Sequence, residues 1–327
     1  MSHDFYLGMV TDDAGRQRQV VYHGDRHLLT VGGSGLGKSV GLIVPNLAQF
    51  SGSAVVIDPR GECAAICAER LRKRGTQVFC VNPFNILAEH YTDLASCGFN
   101  PLAMLDPQSE TFAKDAAAIA SAFVVEREGA HDAHWIESAR DLVTALIMLE
   151  CSDNPKRVGE LGNVRNMLGL PHKAADENRV SLTKMLVMME TSNIKALRNK
   201  GERYKESGNE LYGVLAEART QTQSLDSVRV TADLSKKSPL RFEQLKERPT
   251  VVFLVLPAHE LDKHSRWLRL MIVSALRALL KSPPSETVGS VLILCDEFSA
   301  LGTMREVATS IQFARGYGVK YLSLIHI

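Results

Sequence analysis

Short apolar runs alternate with amphipathic stretches near both ends of the chain. Runs of this kind that end at a Pro, Gly or Asp turn are typical of buried strands. The sequence predicts six of them, at residues 28–31, 53–57, 76–81, 251–256, 291–295 and 319–325. Apolar residues at helical spacing predict helices between them, at residues 62–74, 267–280 and 304–315. This alternation predicts an α/β fold with a mostly parallel sheet that is covered on both faces.

The pattern changes between residues 106 and 230, where apolar residues recur at helical spacing and we find no strand pattern. Helices are predicted at residues 112–123, 135–149, 181–190 and 210–225. We interpret their apolar stripes as the core of an all-α domain. Three segments are therefore expected: residues 1–105, an all-α domain at 106–230, and residues 231–327.

Composition indicates an ordinary globular protein. The 327 residues are 45% hydrophobic and 23% charged, and the net charge of +1 predicts no overall basic field that would attract nucleic acid. The six cysteines form no C-x-x-C pair, which argues against a zinc site or a disulfide framework. No apolar run approaches 18 residues, and the N-terminus does not resemble a signal peptide.

Residues 32–39, with the sequence GGSGLGKS, form a complete G-x-x-x-x-G-K-[ST] phosphate-binding loop. A predicted strand precedes the loop and a helix-forming stretch follows it, as such a loop requires. Glycines let consecutive backbone N–H groups surround a polyphosphate, while Lys38 would reach the β- and γ-phosphates and Ser39 would hold Mg²⁺. The predicted nucleotide-binding residues of the loop are Gly32, Gly33, Ser34, Gly35, Leu36, Gly37, Lys38 and Ser39.

An acidic pair, Asp296 and Glu297, follows the apolar run at 291–295. In P-loop ATPases such a pair lets the aspartate contact Mg²⁺ and the glutamate polarise the attacking water. The alternative is an ordinary pair of loop carboxylates after a strand. Asp296 lies 258 residues after Lys38 (296 − 38), which is more chain than a compact P-loop core needs. The all-α block therefore reads as an insertion into one nucleotide-binding domain, whose two parts are residues 1–105 and 231–327.

Seven segments together resemble the TraG/TraD family, the coupling ATPases of type IV secretion and conjugation. They are FYLG at 5–8, RHLL at 26–29, the extended loop at 32–47, VVIDPRGE at 55–62, FNPL at 99–102, CDEFSALG at 295–302 and ARGYGVKYL at 314–322. The resemblance implies a RecA-like P-loop NTPase core that is interrupted by an inserted all-α domain and assembles as a homo-hexameric ring. It also implies ATP and Mg²⁺ as cofactors, and ATP-driven handling of single-stranded DNA with an attached relaxase.

The resemblance also assigns roles to individual residues. Lys38, Ser39, Asp296 and Glu297 match the phosphate, Mg²⁺ and catalytic residues already named. Arg315 matches the position from which relatives reach the γ-phosphate of a neighbouring subunit; the alternative is an arginine at a helix C-terminus, with Gly316 as the stop.

Two further residues have alternative readings. Arg26 matches a basic residue that contacts the nucleotide, and the alternative is a solvated surface charge. Asp58 either ends its strand near the nucleotide or serves as a turn carboxylate before Pro59.

The chain departs from the family at both ends. Relatives have N-terminal transmembrane helices, and this sequence begins where their cytosolic part begins, so we expect it at the cytoplasmic face of the bacterial inner membrane beside the secretion channel. After Leu322 the tail resembles translated sequencing adapter, which predicts a truncated reading frame and puts a polar sensor residue of the family in doubt.

Alternative functions and weaker signals remain open. A hexameric DNA pump of the FtsK/HerA kind would share the core but not the all-α block, and a non-catalytic adaptor would recruit relaxase through that block. The basic run at 195–205 predicts either a phosphate-backbone contact or, more simply, a solvated helix face. His131, His134 and Glu137 could begin a metal site, but no further ligand nearby completes it.

Overall fold

The structure is a computed structural model that describes residues 4–33, 37–126, 133–153, 157–173, 180–295 and 304–326. It contains two compact units, one formed by Met1–Phe99 with Ser238–Ile327 and the other by Asn100–Lys237. The sequence-based boundaries were 105/106 and 230/231. The strands are β1 (Phe5–Thr11), β2 (Gln17–Tyr22), β3 (Leu28–Gly32), β4 (Ser53–Ile57), β5 (Gln77–Val81), β6 (Thr250–Leu254), β7 (Val291–Cys295) and β8 (Val319–His326).

The first unit is built on a parallel sheet in the order β3-β8-β7-β4-β6-β5. Every residue of β4, β6 and β7 is buried, which explains why their sequences are continuous apolar runs rather than alternating ones. All six predicted strands are present, and the predicted bounds of β4 and β7 agree with the structure residue for residue.

Twelve α-helices accompany the strands in the described ranges. They are α1 (Val44–Gln49), α2 (Glu62–Lys73), α3 (Phe112–Phe123), α4 (Ala133–Ser152), α5 (Leu161–Leu168), α6 (Leu182–Glu190), α7 (Lys195–Glu206), α8 (Glu210–Gln221), α9 (Val228–Leu234), α10 (Gln244–Glu247), α11 (Leu261–Leu279) and α12 (Arg305–Ile311). The first two pack with alternate residues of the central strands, such as Val56, Phe253 and Leu294, in one apolar core. Among the described residues, no helix is both long and apolar enough to cross a membrane.

A two-stranded antiparallel hairpin, β1 with β2, precedes the parallel sheet and was not predicted. The Asp12 carboxylate organises its turn by accepting hydrogen bonds from the backbone N–H groups of Ala14, at 3.0 Å, and Arg16, at 2.8 Å. Most of the hairpin is exposed, but the Phe5 side chain is fully buried in the apolar core of the sheet.

The second unit contains α3 to α9, and every regular element among its described residues is helical. The predicted bounds of α3 agree with the structure. The helix predicted at 210–225 instead ends at Gln221, where the Thr222 hydroxyl donates to the Ala218 carbonyl oxygen at 2.7 Å and a 3₁₀ turn follows.

The helix predicted at 304–315 is also shorter, because α12 ends at Ile311. A separate 3₁₀ turn, Ala314–Tyr317, follows, and Gly318 closes it with a left-handed φ of +70°. That conformation favours glycine and directs the chain into β8.

Candidate nucleotide-binding site

The phosphate-binding loop begins at the carboxyl end of β3, as predicted. Gly37 has a φ of +67°, and its carbonyl oxygen accepts a 2.7 Å hydrogen bond from the N–H of Gly41 in the helical segment that follows. A Cβ at Gly37 would meet no atom within 4 Å, so the left-handed backbone, rather than crowding, is what favours glycine here. Ser34, Gly35 and Leu36 lie outside the described residues.

Lys38 contacts the backbone at the end of β3. Its ammonium donates to the carbonyl oxygens of Gly32, at 2.7 Å, and Gly33, at 2.6 Å. These contacts hold a positive charge at the carboxyl end of β3. Ser39 is the next residue and opens the helical segment Ser39–Ile43. A charge and a hydroxyl in this arrangement suit a terminal phosphate and its Mg²⁺.

The strand order brings the carboxyl end of β7 to the same end of the parallel sheet as Lys38. β8 lies between β3 and β7, and neighbouring strands are about 4.8 Å apart, so β3 and β7 are separated by about 10 Å. Leu29, Ser323 and Cys295 form one row across the three strands. Asp296 and Glu297 follow Cys295 directly and lie outside the described residues, so their predicted roles stay predictions.

Ser323 was not predicted as a site residue. It is buried on β8, between the strand that leads to Lys38 and the strand that leads to the acidic pair. Its hydroxyl makes no hydrogen bond within the described part of the chain. The sequence signal is weak, because Ser323 is one of several polar residues in β8, and its meaning depends on the strand order.

Arg315 and Lys38 lie at opposite ends of the parallel strands: Arg315 is at the amino ends and Lys38 is at the carboxyl ends. It belongs to the 3₁₀ turn that precedes β8, whereas the loop of Lys38 follows the paired strand β3. β3 alone spans about 13 Å. The Arg315 side chain is 60% exposed, and its Nε lies 3.5 Å from Oδ2 of Asp25. The proposed stop at Gly316 is wrong, because the left-handed residue that ends the turn is Gly318.

Arg26 lies at the amino ends of the strands, as Arg315 does, in the segment that leads into β3. Its side chain is exposed, and its backbone N–H donates to the Tyr22 hydroxyl at 3.3 Å. Arg26 and Arg315 thus lie before the amino ends of the neighbouring strands β3 and β8. The structure does not bring either of them to the phosphate loop of the same chain.

The segment around Arg26 is attached to β8. The ammonium of Lys320, which is buried, donates to the Gly24 carbonyl oxygen at 3.2 Å and lies 5.7 Å from the centre of the Phe5 ring. Burial lowers the pKa of Lys320, while the nearby carboxylates of Asp25 and Asp4 oppose this shift. A buried ammonium with these neighbours joins the hairpin and the segment before β3 to the edge of β8.

Asp58 acts as a helix-capping carboxylate. It is buried at the carboxyl end of β4, and its Oδ2 accepts a 2.8 Å hydrogen bond from the backbone N–H of Ala64 in the first turn of α2. A carboxylate at this position also offsets the positive end of the helix dipole. This contact supports the turn-carboxylate reading of Asp58.

The basic run at 195–205 and His134 form ion pairs within the second unit. Lys200 and Arg203, from the basic run, both pair with Asp141. His134 pairs with Glu210 at 2.9 Å. The basic run therefore fits a solvated helix face with acidic partners, and His131 lies outside the described residues.

Comparison with known proteins gives a consistent result. The family model described as "Type IV secretory system Conjugative DNA transfer" matches residues 2–326. The conjugal transfer protein TraG of Escherichia coli is 24% identical over 330 residues, which cover 98% of this chain and 51% of that protein. VirD4 of Agrobacterium fabrum is 24% identical over 312 residues, covering 91% of this chain and 43% of VirD4.

The fold also has solved counterparts. The plasmid coupling protein TrwB in complex with a non-hydrolysable ATP analogue superimposes with a TM-score of 0.65 at 16% identity, covering 92% of this chain and 64% of that one. TrwB in complex with ADP and Mg²⁺ gives a TM-score of 0.64. The predicted RecA-like P-loop NTPase fold is therefore confirmed. The chain spans about half the length of the TraG and VirD4 relatives. On the match of nearly its whole length, the chain belongs to the type IV secretory system conjugative DNA transfer family of coupling proteins.

Proposed function

We propose that this chain is the ATPase motor part of a coupling protein that drives single-stranded DNA, with its bound relaxase, to a type IV secretion channel. The observation that carries the proposal is the placement of Lys38. Its ammonium lies at the carboxyl end of β3, two strands from the end of β7, where Asp296 and Glu297 follow. Family membership and the TrwB complexes with an ATP analogue and with ADP and Mg²⁺ support the same reaction.

The residues of the loop fit ATP. The left-handed Gly37 lets the backbone curve around the phosphates, and Lys38 supplies a point charge to the terminal ones. Ser39 and Asp296 would hold Mg²⁺, which when bound neutralises charge on the phosphates. Glu297 would orient the attacking water and accept its proton, as a carboxylate beside the metal can.

Arg315 and Arg26 would serve a neighbouring subunit. Both lie at the amino ends of the parallel strands, whereas their own phosphate loop lies at the carboxyl ends, and both are exposed. In a homo-hexameric ring at the cytoplasmic face of the inner membrane, such side chains would lie against the nucleotide of the next subunit. Arg315 would then stabilise the charge that develops on the transferred phosphoryl group, and Arg26 would contact the bound nucleotide.

Steady-state ATP hydrolysis by the purified chain, with and without single-stranded DNA, tests this function. We expect turnover that needs Mg²⁺ and rises with DNA. Glu297→Gln should retain ATP and lose turnover, because an amide cannot accept the proton. Relaxase binding without turnover in either condition would favour the non-catalytic adaptor instead.

A further inference from the structure

We propose that Asp25 is a positioning residue that orients the guanidinium of Arg315 for the nucleotide of a neighbouring subunit. The carboxylate meets Arg315 at Nε, 3.5 Å away, and Arg315 pairs with no other acid in the described part of the chain. Contact at Nε leaves the two terminal amino groups of the guanidinium for a phosphate, which they bind in a fork. This inference rests on the proposed function, because it assigns a task to Arg315.

Asp25 belongs to a segment that is fixed on both sides. On one side, the Gly24 carbonyl oxygen accepts from the buried ammonium of Lys320. On the other, His27 Nδ1 accepts a 3.1 Å hydrogen bond from the backbone N–H of Tyr321. Both partners belong to β8, which begins four residues after Arg315. The acid and the arginine are thus attached to the same strand.

The second nitrogen of His27 completes this attachment. Because Nδ1 accepts a hydrogen bond, the neutral ring carries its proton on Nε2, which donates to the carbonyl oxygen of Ile311 at 3.0 Å. Ile311 is the last residue of α12 and lies three residues before the turn that contains Arg315, which begins at Ala314. His27 therefore attaches the segment of Asp25 to α12 before the Arg315 turn and to β8 after it.

Charge explains why an acid is suited to this position. Asp25 lies between two cations: it is close enough to the buried Lys320 to oppose the lowering of that group's pKa, and it pairs with Arg315 on the solvent side. The side chains of Asp25 and Arg315 are 63% and 60% exposed. A pair this exposed contributes little to stability. Its effect is to restrict the orientations of a long side chain before it binds, which lowers the ordering cost of binding.

ATPase kinetics of Asp25→Asn provide the first test. We expect kcat to fall on the order of two- to fivefold, which is the effect of one exposed ion pair, with an unchanged KM for ATP. Asp13→Asn is the matched control, because it removes the same charge from an exposed turn of the same unit without a contact to Arg315. Arg315→Lys provides the second background, since lysine has no Nε–H for Asp25 to orient.

The double variant decides whether Asp25 acts through Arg315. We expect Asp25→Asn to cost nothing further in the Arg315→Lys background. An equal loss in both backgrounds, or no loss in the parent, would overturn the role of Asp25. If Arg315→Lys itself keeps the parental kcat, Arg315 has no catalytic role. The positioning role of Asp25 is then overturned as well.

A measurement independent of activity separates the two proposals. The Nε–Hε group of Arg315 can be followed by NMR in ¹⁵N-arginine-labelled protein. We expect a slow-moving group in the parent and in Asp13→Asn, and a faster one in Asp25→Asn. Equal mobility in all three proteins would overturn the positioning role, whether or not the chain hydrolyses ATP.

Discussion

Lys38 Nζ donates a 2.7 Å hydrogen bond to the carbonyl oxygen of Gly32, the residue that ends β3. A side chain that binds its own loop is placed at the carboxyl edge of the sheet by local geometry alone. The charge of Lys38 is therefore available where phosphate would bind, without a rearrangement of the strands.

Lys38→Ala should weaken ATP binding while leaving the fold intact. Charge-assisted hydrogen bonds contribute about 1.5–3 kcal/mol, which corresponds to roughly 10- to 150-fold in Kd. Titration of a fluorescent ATP analogue measures the affinity, and circular dichroism checks the fold. Lys73→Ala is the control, since Lys73 is exposed and pairs with Glu69 on α2. Equal affinities in parent and variant would remove Lys38 from the site.

Arg315→Ala should bind ATP normally and lose hydrolysis. An arginine that reaches the transferred phosphate contributes on the order of 10³–10⁵ in rate. Mixing Arg315→Ala with Lys38→Ala protein should restore part of the activity, because some interfaces then pair an intact loop with an intact arginine. Absence of recovery in mixtures of demonstrated assembly would mean that Arg315 does not act between subunits.

We expect the protein to lose stability in mild acid because of His264. It lies in a kink of α11, is 1% exposed and packs against Phe84. Burial lowers its pKa from the usual 6.5, with Lys263 adding to this effect and Glu260 opposing it. The folded state therefore binds fewer protons than the unfolded state. Stability from this group is fully present above pH 6.5 and declines as the pH falls below it.

Thermal unfolding of His264→Phe between pH 7.5 and 5 tests this assignment. The variant should show a flatter decline of Tm with acidification than the parent. His259→Gln, which replaces an exposed histidine five residues earlier, should follow the parental curve. Identical slopes for His264→Phe and the parent would show that His264 does not carry the acid sensitivity.

Asp58→Ala should destabilise the first unit without changing ATP affinity. The variant leaves the Ala64 N–H without its acceptor in a buried position, which costs about 1–3 kcal/mol. Chemical denaturation measures the loss. Glu62→Gln, in the same turn of α2 but exposed, should change stability by less than about 0.5 kcal/mol. A fall in ATP affinity at unchanged stability would return Asp58 to the nucleotide site.

The sequence predicted the sheet well because its strands are buried on both faces. β4 and β7 are continuous apolar runs between turns, and few structures other than a buried parallel strand fit that pattern. The hairpin of β1 and β2 was missed because most of its residues are exposed, including Leu7 and Met9, so no alternation marks a buried face. Tertiary context, rather than local pattern, forms that element.

The candidate site also has a part that the sequence predicted and a part that it could not predict. The loop around Lys38 could be predicted because the residues that define it are consecutive. Asp25 and Arg315 are 290 residues apart (315 − 25), and their pairing follows from the β3–β8 register, which no local pattern encodes. The position of Arg315 at the edge opposite its own loop depends on the same register.

The pairing of β3 with β8 also constrains how the protein is made. Leu28 aligns with Leu322, a residue that the ribosome adds 294 positions later (322 − 28). At 5–20 residues per second, this delay is roughly 15–60 s. During that time β3 lacks β8, the one strand that pairs with it among the described residues. The strand that leads to the predicted phosphate loop thus gains its sheet partner only when synthesis reaches β8.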